Sequence, residues 1–173
     1  MVVESVDDGL VVVVVAPDQA LPALHPAVRV ARDARPGRGP LEAIAAGLRA
    51  IAGDAEGVYV SAVDAPFLQA AFVRRLLAAL TDGVDLAVPE AQGHRHPLSA
   101  AYRTALLPTI EARLGREELR LAPLLVGPGV LVLDDAALLA DDALRAADPA
   151  LRSLLNANDR ATYDAAIAAD DPR

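Results

Sequence analysis

Two runs of apolar, mostly β-branched residues predict strands that are buried on both faces. The first run is Leu10–Ala16 and the second is Gly57–Val63, and neither alternates between apolar and polar positions. Continuous apolar runs of this length are typical of parallel strands covered by helices on both sides. Asp64 follows the second run, and Pro66 disfavours a helix there. We therefore expect Asp64 at the carboxyl end of a strand.

Two segments show the three-and-four spacing of amphipathic helices. Pro40 suits a first helical turn, and the apolar residues after it predict a helix that ends near Gly53. The second helix is expected over Gln69–Leu80, with one apolar face. A glycine- and proline-rich loop, Asp33–Gly39, leads into the first helix from the short apolar stretch Val28–Arg32.

The second half of the chain has shorter and less regular signals. Gln92–Gly93 is typical of a turn before an antiparallel strand. The remaining expectations are a short apolar stretch at Val84–Val88, strands at His96–Tyr102, Gly129–Leu133 and Leu151–Leu155, and helices at Thr104–Leu114, Glu118–Leu125 and Asp159–Ala168.

The alternation of strands and helices predicts a doubly wound α/β fold with a mostly parallel sheet, because parallel neighbours need crossovers that cover both faces. In such sheets ligands bind beyond the carboxyl ends of the strands. The polar residues expected at those ends are Asp33, Asp64, Asn156 and Asn158. This edge of the sheet is the expected site of chemistry.

Composition narrows the class of protein. A chain of 173 residues, 54% of them hydrophobic, predicts one folded domain over residues 1–173. The net charge of −8 without a basic run disfavours nucleic acid and anionic membranes as partners. The absence of cysteine excludes disulfides and thiolate metal sites and favours a reducing cytoplasm. No apolar run reaches the roughly 18 residues of a membrane helix, and the acidic amino terminus is unlike a signal peptide.

The carboxylates of Asp64 and Asp33 each allow two interpretations. Asp64 can share a hard cation with phosphate oxygens, or it can cap the turn at Pro66 through backbone amides. Asp33 precedes the loop DARPGRGP, which delivers Pro40 to a helix amino terminus that attracts anionic groups. That loop can equally be a simple connection.

Other polar residues carry weaker signals. Asn156 and Asn158 can read a heterocycle or a phosphate, although Asn158 also suits a helix cap. His94 and His96 suggest a metal pair without a third ligand, so a solvated hairpin is favoured. The acid pairs Asp134–Asp135 and Asp141–Asp142 suit solvated helix starts. No serine lies in a glycine-flanked nucleophile elbow.

Four stretches, in this order, resemble the molybdenum cofactor guanylyltransferase family of nucleotidyltransferases. They are RDARPGRGPLEAIAAGL, VYVSAVDAPFL, HRHPLSAAYR and SLLNANDRATY. Together they span nearly the whole chain. The second resembles a family strand that ends in a metal-binding aspartate, and the last resembles the family's Asn-x-Asn strand end.

The resemblance implies a Rossmann-like nucleotidyltransferase that transfers GMP from GTP to molybdopterin, releases pyrophosphate and requires Mg²⁺. By matching positions, Asp64 would hold magnesium and the nucleotide phosphates, and Asp33, Gly39 and Pro40 would form the nucleotide pocket. Asn156 and Asn158 would line the pterin side. The resemblance also implies contacts with molybdoenzymes or with other proteins of cofactor biosynthesis. The attacking phosphate is already an anion. The protein would therefore mainly position it and neutralise the charge that develops on the pyrophosphate.

The chain departs from the family pattern at its amino terminus. The family opens with a strand and a glycine-rich phosphate loop followed by a lysine, whereas the printed sequence has no such loop and no lysine. Without that strand, Leu10–Ala16 is expected to have unpaired backbone groups on one side. Two alternatives follow: a nucleotidyltransferase that uses CTP or a sugar phosphate, and a non-catalytic relic that binds the cofactor.

Overall fold

The computed structural model describes residues 9–33, 35 and 37–157. It contains seven strands and five α-helices in these residues. In chain order they are β1 (Val11–Val15), β2 (Val28–Arg32), α1 (Pro40–Ile51), β3 (Gly57–Ser61), α2 (Ala70–Ala78), β4 (Leu86–Ala91), β5 (His94–Arg95), β6 (Ser99–Arg103), α3 (Leu107–Gly115), β7 (Val130–Leu133), α4 (Asp135–Leu139) and α5 (Asp142–Ala147). The predicted helix at Asp159–Ala168 lies outside the described residues.

The strands form two sheets. β1 and β2 make a parallel pair, and the larger sheet has the order β3-β6-β4-β7, with β5 paired to the end of β4. β6 is antiparallel to both β3 and β4, and β4 is parallel to β7. β3, β4 and β7 therefore run in one direction, which confirms a mostly parallel sheet with an antiparallel piece.

The larger sheet is covered on both faces, as a doubly wound fold requires. Leu86 and Val88 of β4 enter one apolar cluster with α1 and α3, whereas Ala87 between them enters a second cluster with α2, α4 and α5. Tyr102 and Ala101 of β6 divide between the two clusters in the same way. Successive side chains of a strand point to opposite faces, so a continuous apolar run fills two cores.

Strand β1 is less buried than the sequence predicts. Val15 is buried, but the other four residues of β1 are only half-buried. The strand has a partner on one side only within the described chain, as expected from the departure at the amino terminus. The strand predicted at Gly57–Val63 also differs, because β3 ends at Ser61 and Val63 is fully exposed in a turn.

The helix predicted at Glu118–Leu125 is wrong, since only a short 3-10 turn forms, at Ala122–Leu125. Glu117 adopts a left-handed backbone with φ of 60°, which ends helical geometry after α3. The amide of Glu118 then turns back to the carbonyl of Arg113. The apolar residues Leu124 and Leu125 still reach the first cluster, but from a turn.

The strand predicted at Leu151–Leu155 is also wrong, since residues Arg152–Leu154 form a 3-10 turn. The buried carboxylate of Asp148 causes the bend. Its Oδ1 accepts the amide of Arg152 at 2.7 Å and its Oδ2 accepts the amide of Ser153 at 2.8 Å. Leu151, with a φ of 50°, and Leu154 pack into the second cluster. The apolar residues of this segment therefore pack into the core from a turn and not from a strand.

The Asp148 turn yields a stability prediction. Asp148→Ala leaves two amide donors without their charged acceptor, so the free energy of unfolding should fall by about 3 kcal/mol. Asp82→Ala is the control, because Asp82 is exposed, and it should change stability by less than about 0.5 kcal/mol. Urea unfolding followed by circular dichroism measures both variants. Equal midpoints for the two would show that the Asp148 turn does not stabilise the fold.

Candidate functional site

One cleft lies along strands β1 and β3 and helix α1 and reaches the ends of two loops. The first loop joins β2 to α1, and the second joins β3 to α2. Pro40 lies at the end of the first loop and Val63 lies in the second, and both line a cleft of about 430 Å³. Pro40 is itself a predicted site residue, and Val63 directly precedes the predicted Asp64. Asp33, Gly39 and Asp64 themselves do not line this cleft.

The cleft runs between the unpaired edges of β1 and β3. Val12 and Val14 line it from one side, and Val58 and Val60 line it from the other. Among the described residues, β1 pairs only with β2 and β3 pairs only with β6, so each strand has one free edge here. Helix α1 also lines the cleft, and a Cβ added to its Gly47 would lie 3.4 Å from a methyl group of Val14. Helix and strand are therefore in close contact.

Asp64 has an unsatisfied buried oxygen. Its Oδ1 is buried and has no hydrogen-bond partner in the described part of the chain. Buried carboxylate oxygens normally have a partner, so this one requires an explanation such as an ion or ligand. No side-chain hydrogen bond from Asp64 to the Pro66 turn is present among these residues. The capping interpretation of Asp64 is therefore wrong for the described residues.

The end of the described chain packs against Asp64. The amide of Ala157 donates to the backbone carbonyl of Asp64 at 2.8 Å. Asn156, which is exposed, directly precedes Ala157, and its contact with a substrate stays a prediction. Asn158 lies outside the described residues.

A distant serine supports the loop that carries Asp64. The buried hydroxyl of Ser153 accepts the amide of Gln69 at 3.0 Å and donates to the carbonyl of Phe67 at 3.4 Å. Arg152 places its guanidinium carbon 3.8 Å from the centre of the Phe67 ring. Sequence reasoning missed these contacts, because nothing local links the residues around 67 to those around 153.

Asp33 organises its own loop. Its amide donates to the carbonyl of Val15 at 2.8 Å, which continues the pairing of β1 with β2 by one residue. Its Oδ1 accepts the amide of Arg35 at 2.9 Å. Asp33 thus has the turn-forming role that its alternative interpretation predicts, and Oδ1 is occupied by that role.

Gly39 and Pro40 form the predicted entry into α1. Gly39 is the N-cap residue with φ of 79°, a conformation that strains any residue with a side chain, and Pro40 occupies the first helical turn. No side chain caps this helix end. The helix predicted to end near Gly53 ends at Ile51, so this prediction is confirmed.

A buried glutamate that sequence reasoning missed holds the same loop. The side chain of Glu42 is only 3% exposed, and its carboxylate binds the guanidinium of Arg35 at 3.0 Å and that of Arg38 at 3.2 Å. The guanidinium of Arg38 also pairs with the carboxylate of Glu117 at 2.7 Å and donates to the carbonyl of Leu114 at 2.8 Å. The hydrogen bond that Arg38 donates to Glu117 raises the pKa of the Arg38 guanidinium. The only sequence signal is the spacing of Arg38 and Glu42, four residues apart.

The other candidates keep structural roles. Asp134 and Asp141 each accept a backbone amide at 2.8 Å and cap α4 and α5, as the helix-start interpretation predicts. His94 is exposed in the hairpin, and His96 follows in a turn. No cluster of three or more His, Cys, Asp or Glu side chains suited to a metal occurs in the residues described. None of the helices in that part of the chain is long and apolar enough to cross a membrane.

Two proteins with assigned names are similar to this chain in sequence. A protein of Mycobacterium tuberculosis named "Probable molybdenum cofactor guanylyltransferase" is 37% identical over 117 residues, which cover 66% of this chain and 57% of that protein. A "Molybdenum cofactor guanylyltransferase" of Desulfosudis oleivorans is 35% identical over 112 residues, 65% of this chain and 53% of that protein. The chain thus spans little more than half the length of these relatives.

A solved structure shows the same fold. The crystal structure of molybdopterin-guanine dinucleotide biosynthesis protein A from Archaeoglobus fulgidus superposes with a TM-score of 0.65 at 22% identity, covering 83% of this chain and 69% of that one. Residues 2–124 match the profile described as the MobA-like NTP transferase domain, which is most of the chain. The protein therefore belongs to the MobA-like NTP transferase family.

Proposed function

We propose that the protein transfers GMP from GTP to molybdopterin and releases pyrophosphate. A terminal phosphate oxygen of the acceptor would attack the α-phosphorus of GTP, and the bond to the β-phosphate oxygen would break. Family membership and the names of the relatives support this reaction. The observation that carries it is the buried, unpartnered Oδ1 of Asp64 in the loop that borders the cleft.

The residues present fit a magnesium ion at Asp64. Magnesium prefers oxygen ligands and is commonly bound by one or two carboxylates together with substrate phosphates and water. Asp64 offers a carboxylate oxygen that has no competing hydrogen bond within the described chain. When bound, magnesium would neutralise charge on the phosphate oxygens.

The remaining site residues would position the two substrates. Gly39 and Pro40 would shape the nucleotide pocket through their backbone, and Asp33 would fix the loop that leads to them by its bond to the amide of Arg35. Asn156 and Asn158 would contact the pterin side, and the amide of Ala157 holds this segment beside Asp64. Most of the acceleration would come from holding attacking and leaving groups in line.

Replacing Asp64 tests the metal role. Asp64→Asn keeps the shape of the side chain but removes its charge, so transfer should fall by about 100-fold, or roughly 2.7 kcal/mol of transition-state stabilisation. Pyrophosphate release with GTP, molybdopterin and magnesium measures the rate. Asp82→Asn is the matched control and should keep full activity. Unchanged activity of Asp64→Asn at ordinary magnesium concentrations would remove Asp64 from the metal role.

Nucleotide preference tests the identity of the donor. With magnesium present, calorimetry should show tighter binding of GTP than of CTP to the chain. A preference for CTP would reject guanylyl transfer in favour of a sister cytidylyl reaction. Binding of molybdopterin without pyrophosphate release would instead indicate a cofactor-binding protein that does not catalyse transfer.

A further inference from the structure

The loop that carries Asp64 is bound by a segment from the end of the described chain. This loop spans residues 62–69, between β3 and α2. The segment spans residues 152–157 and begins with a 3-10 turn. Its Ala157 amide donates to the backbone carbonyl of Asp64 at 2.8 Å. One backbone hydrogen bond therefore joins this segment directly to the candidate site.

The side chain of Ser153 makes a second connection, at the far end of the loop. Its hydroxyl accepts the amide of Gln69 at 3.0 Å and donates to the carbonyl of Phe67 at 3.4 Å. Ser153 is 0% exposed, so water has no access to replace it. The single proton of the hydroxyl and one of its lone pairs are thus both used by backbone groups of the loop.

Asp148 fixes the position of Ser153 itself. The Asp148 carboxylate is buried, its Oδ2 accepts the amide of Ser153 at 2.8 Å, and its Oδ1 accepts the amide of Arg152 at 2.7 Å. Hydrogen bonds to a charged acceptor are stronger than those between neutral groups. The hydroxyl that binds the loop is therefore carried by a turn whose geometry is fixed.

The unpartnered oxygen of Asp64 gives this support a purpose. Oδ1 is buried and has no hydrogen-bond partner among the described residues. Burying such an oxygen is unfavourable, so a loop that is free to move would expose it to water. The two connections to residues 152–157 oppose that movement, because one is made to the backbone of Asp64 and the other fixes the loop at Gln69.

We propose that Ser153 is a positioning residue for the cation site at Asp64: its hydroxyl holds the loop so that the carboxylate stays where a divalent cation binds. The inference rests on the proposed function, since it takes Asp64 as the magnesium ligand. It assigns a role in metal binding to a buried side chain that would touch neither the cation nor a substrate.

Titration of the full chain with Mn²⁺, followed by electron paramagnetic resonance, tests this role without requiring catalysis. Mn²⁺ is the probe because it prefers the same oxygen ligands as Mg²⁺, and the binding that is lost in Asp64→Asn is assigned to Asp64. Ser153→Ala should weaken that binding by about fivefold, which corresponds to one lost hydrogen bond. Asp148→Asn removes the charge that fixes Ser153 and should weaken it in the same direction.

Thr104→Val is the matched control. The Thr104 hydroxyl lies 3.0 Å and 3.1 Å from the carbonyls of Ala55 and Glu56, which precede β3, whereas Asp64 follows the other end of that strand. The variant also removes one hydroxyl that binds backbone carbonyls of a loop. Because it acts at a separate site, it should change the Mn²⁺ affinity by less than about twofold.

A double variant separates positioning from a general effect on stability. In a chain that already carries Asp64→Asn, Ser153→Ala should cause no further loss of Mn²⁺ binding. A further loss as large as that in the unaltered chain would show that Ser153 does not act through Asp64. Thermal unfolding of each variant checks that it is folded.

Hydrogen exchange of the Ala157 amide reports on the connection to Asp64 directly. This amide should exchange faster in Ser153→Ala than in Thr104→Val, because the loop and the 152–157 segment lose their second connection. Equal exchange in the two variants would contradict the role of Ser153. In a chain that transfers GMP, Ser153→Ala should also raise the magnesium concentration needed for half of the maximal rate.

The outcomes separate this inference from the proposed function. Equal Mn²⁺ affinities for Ser153→Ala and Thr104→Val, or no Mn²⁺ binding that depends on Asp64, would overturn the role of Ser153. GMP transfer with an unchanged magnesium requirement in Ser153→Ala would also overturn it and would leave the function standing. Loss of Mn²⁺ affinity in Ser153→Ala, in a chain that transfers no GMP, would support the positioning role and reject the function.

Discussion

Helix α1 is the element on which the remaining geometry depends, because it joins two sheets that share no hydrogen bond in the described residues. It packs on β1 and β2, and its Leu41, Ile44 and Leu48 enter the apolar cluster of the larger sheet. Arg38, in the loop before α1, binds the carbonyl of Leu114 in α3, and Arg49, in the last turn of α1, pairs with Glu111 of α3. The separation of β1 from β3, and hence the shape of the cleft, follows from how α1 packs.

Local sequence patterns predicted the secondary structure correctly where they agreed with the tertiary packing. In α1, Pro40 and the apolar spacing after it specify one helix face, and that face is the one that the core buries. The Gln92–Gly93 turn is similar, since both residues have positive φ and join β4 to β5. By contrast, the apolar residues of Leu151–Leu155 pack in a turn bent by Asp148, whose hydrogen bonds outweigh the strand propensity of the segment.

Some residues of the candidate site could likewise be placed from the sequence, and others could not. Asp64 could be predicted because a polar residue after a buried strand reaches a fixed edge of an α/β fold. Glu42 could not, because an acidic residue in a first helical turn is ordinarily solvated and favoured by the helix dipole. Its burial depends on two arginines of the preceding loop. Ser153 was equally hidden, since it supports Gln69 across 84 residues of sequence.

Glu42 and Asp64 are two carboxylates in opposite situations. Glu42 is almost fully buried, yet both of its oxygens meet guanidinium groups, so the charge is compensated and the loop is fixed. Asp64 has a buried oxygen that meets no donor in the described chain, which costs about 1–3 kcal/mol in a folded protein. Farther along the same loop, Ser153 binds the amide of Gln69, and Asp148 in turn binds the amide of Ser153. The buried Oδ1 of Asp64 thus lowers the stability of the fold while it has no partner. A bound cation would supply that partner and restore the stability.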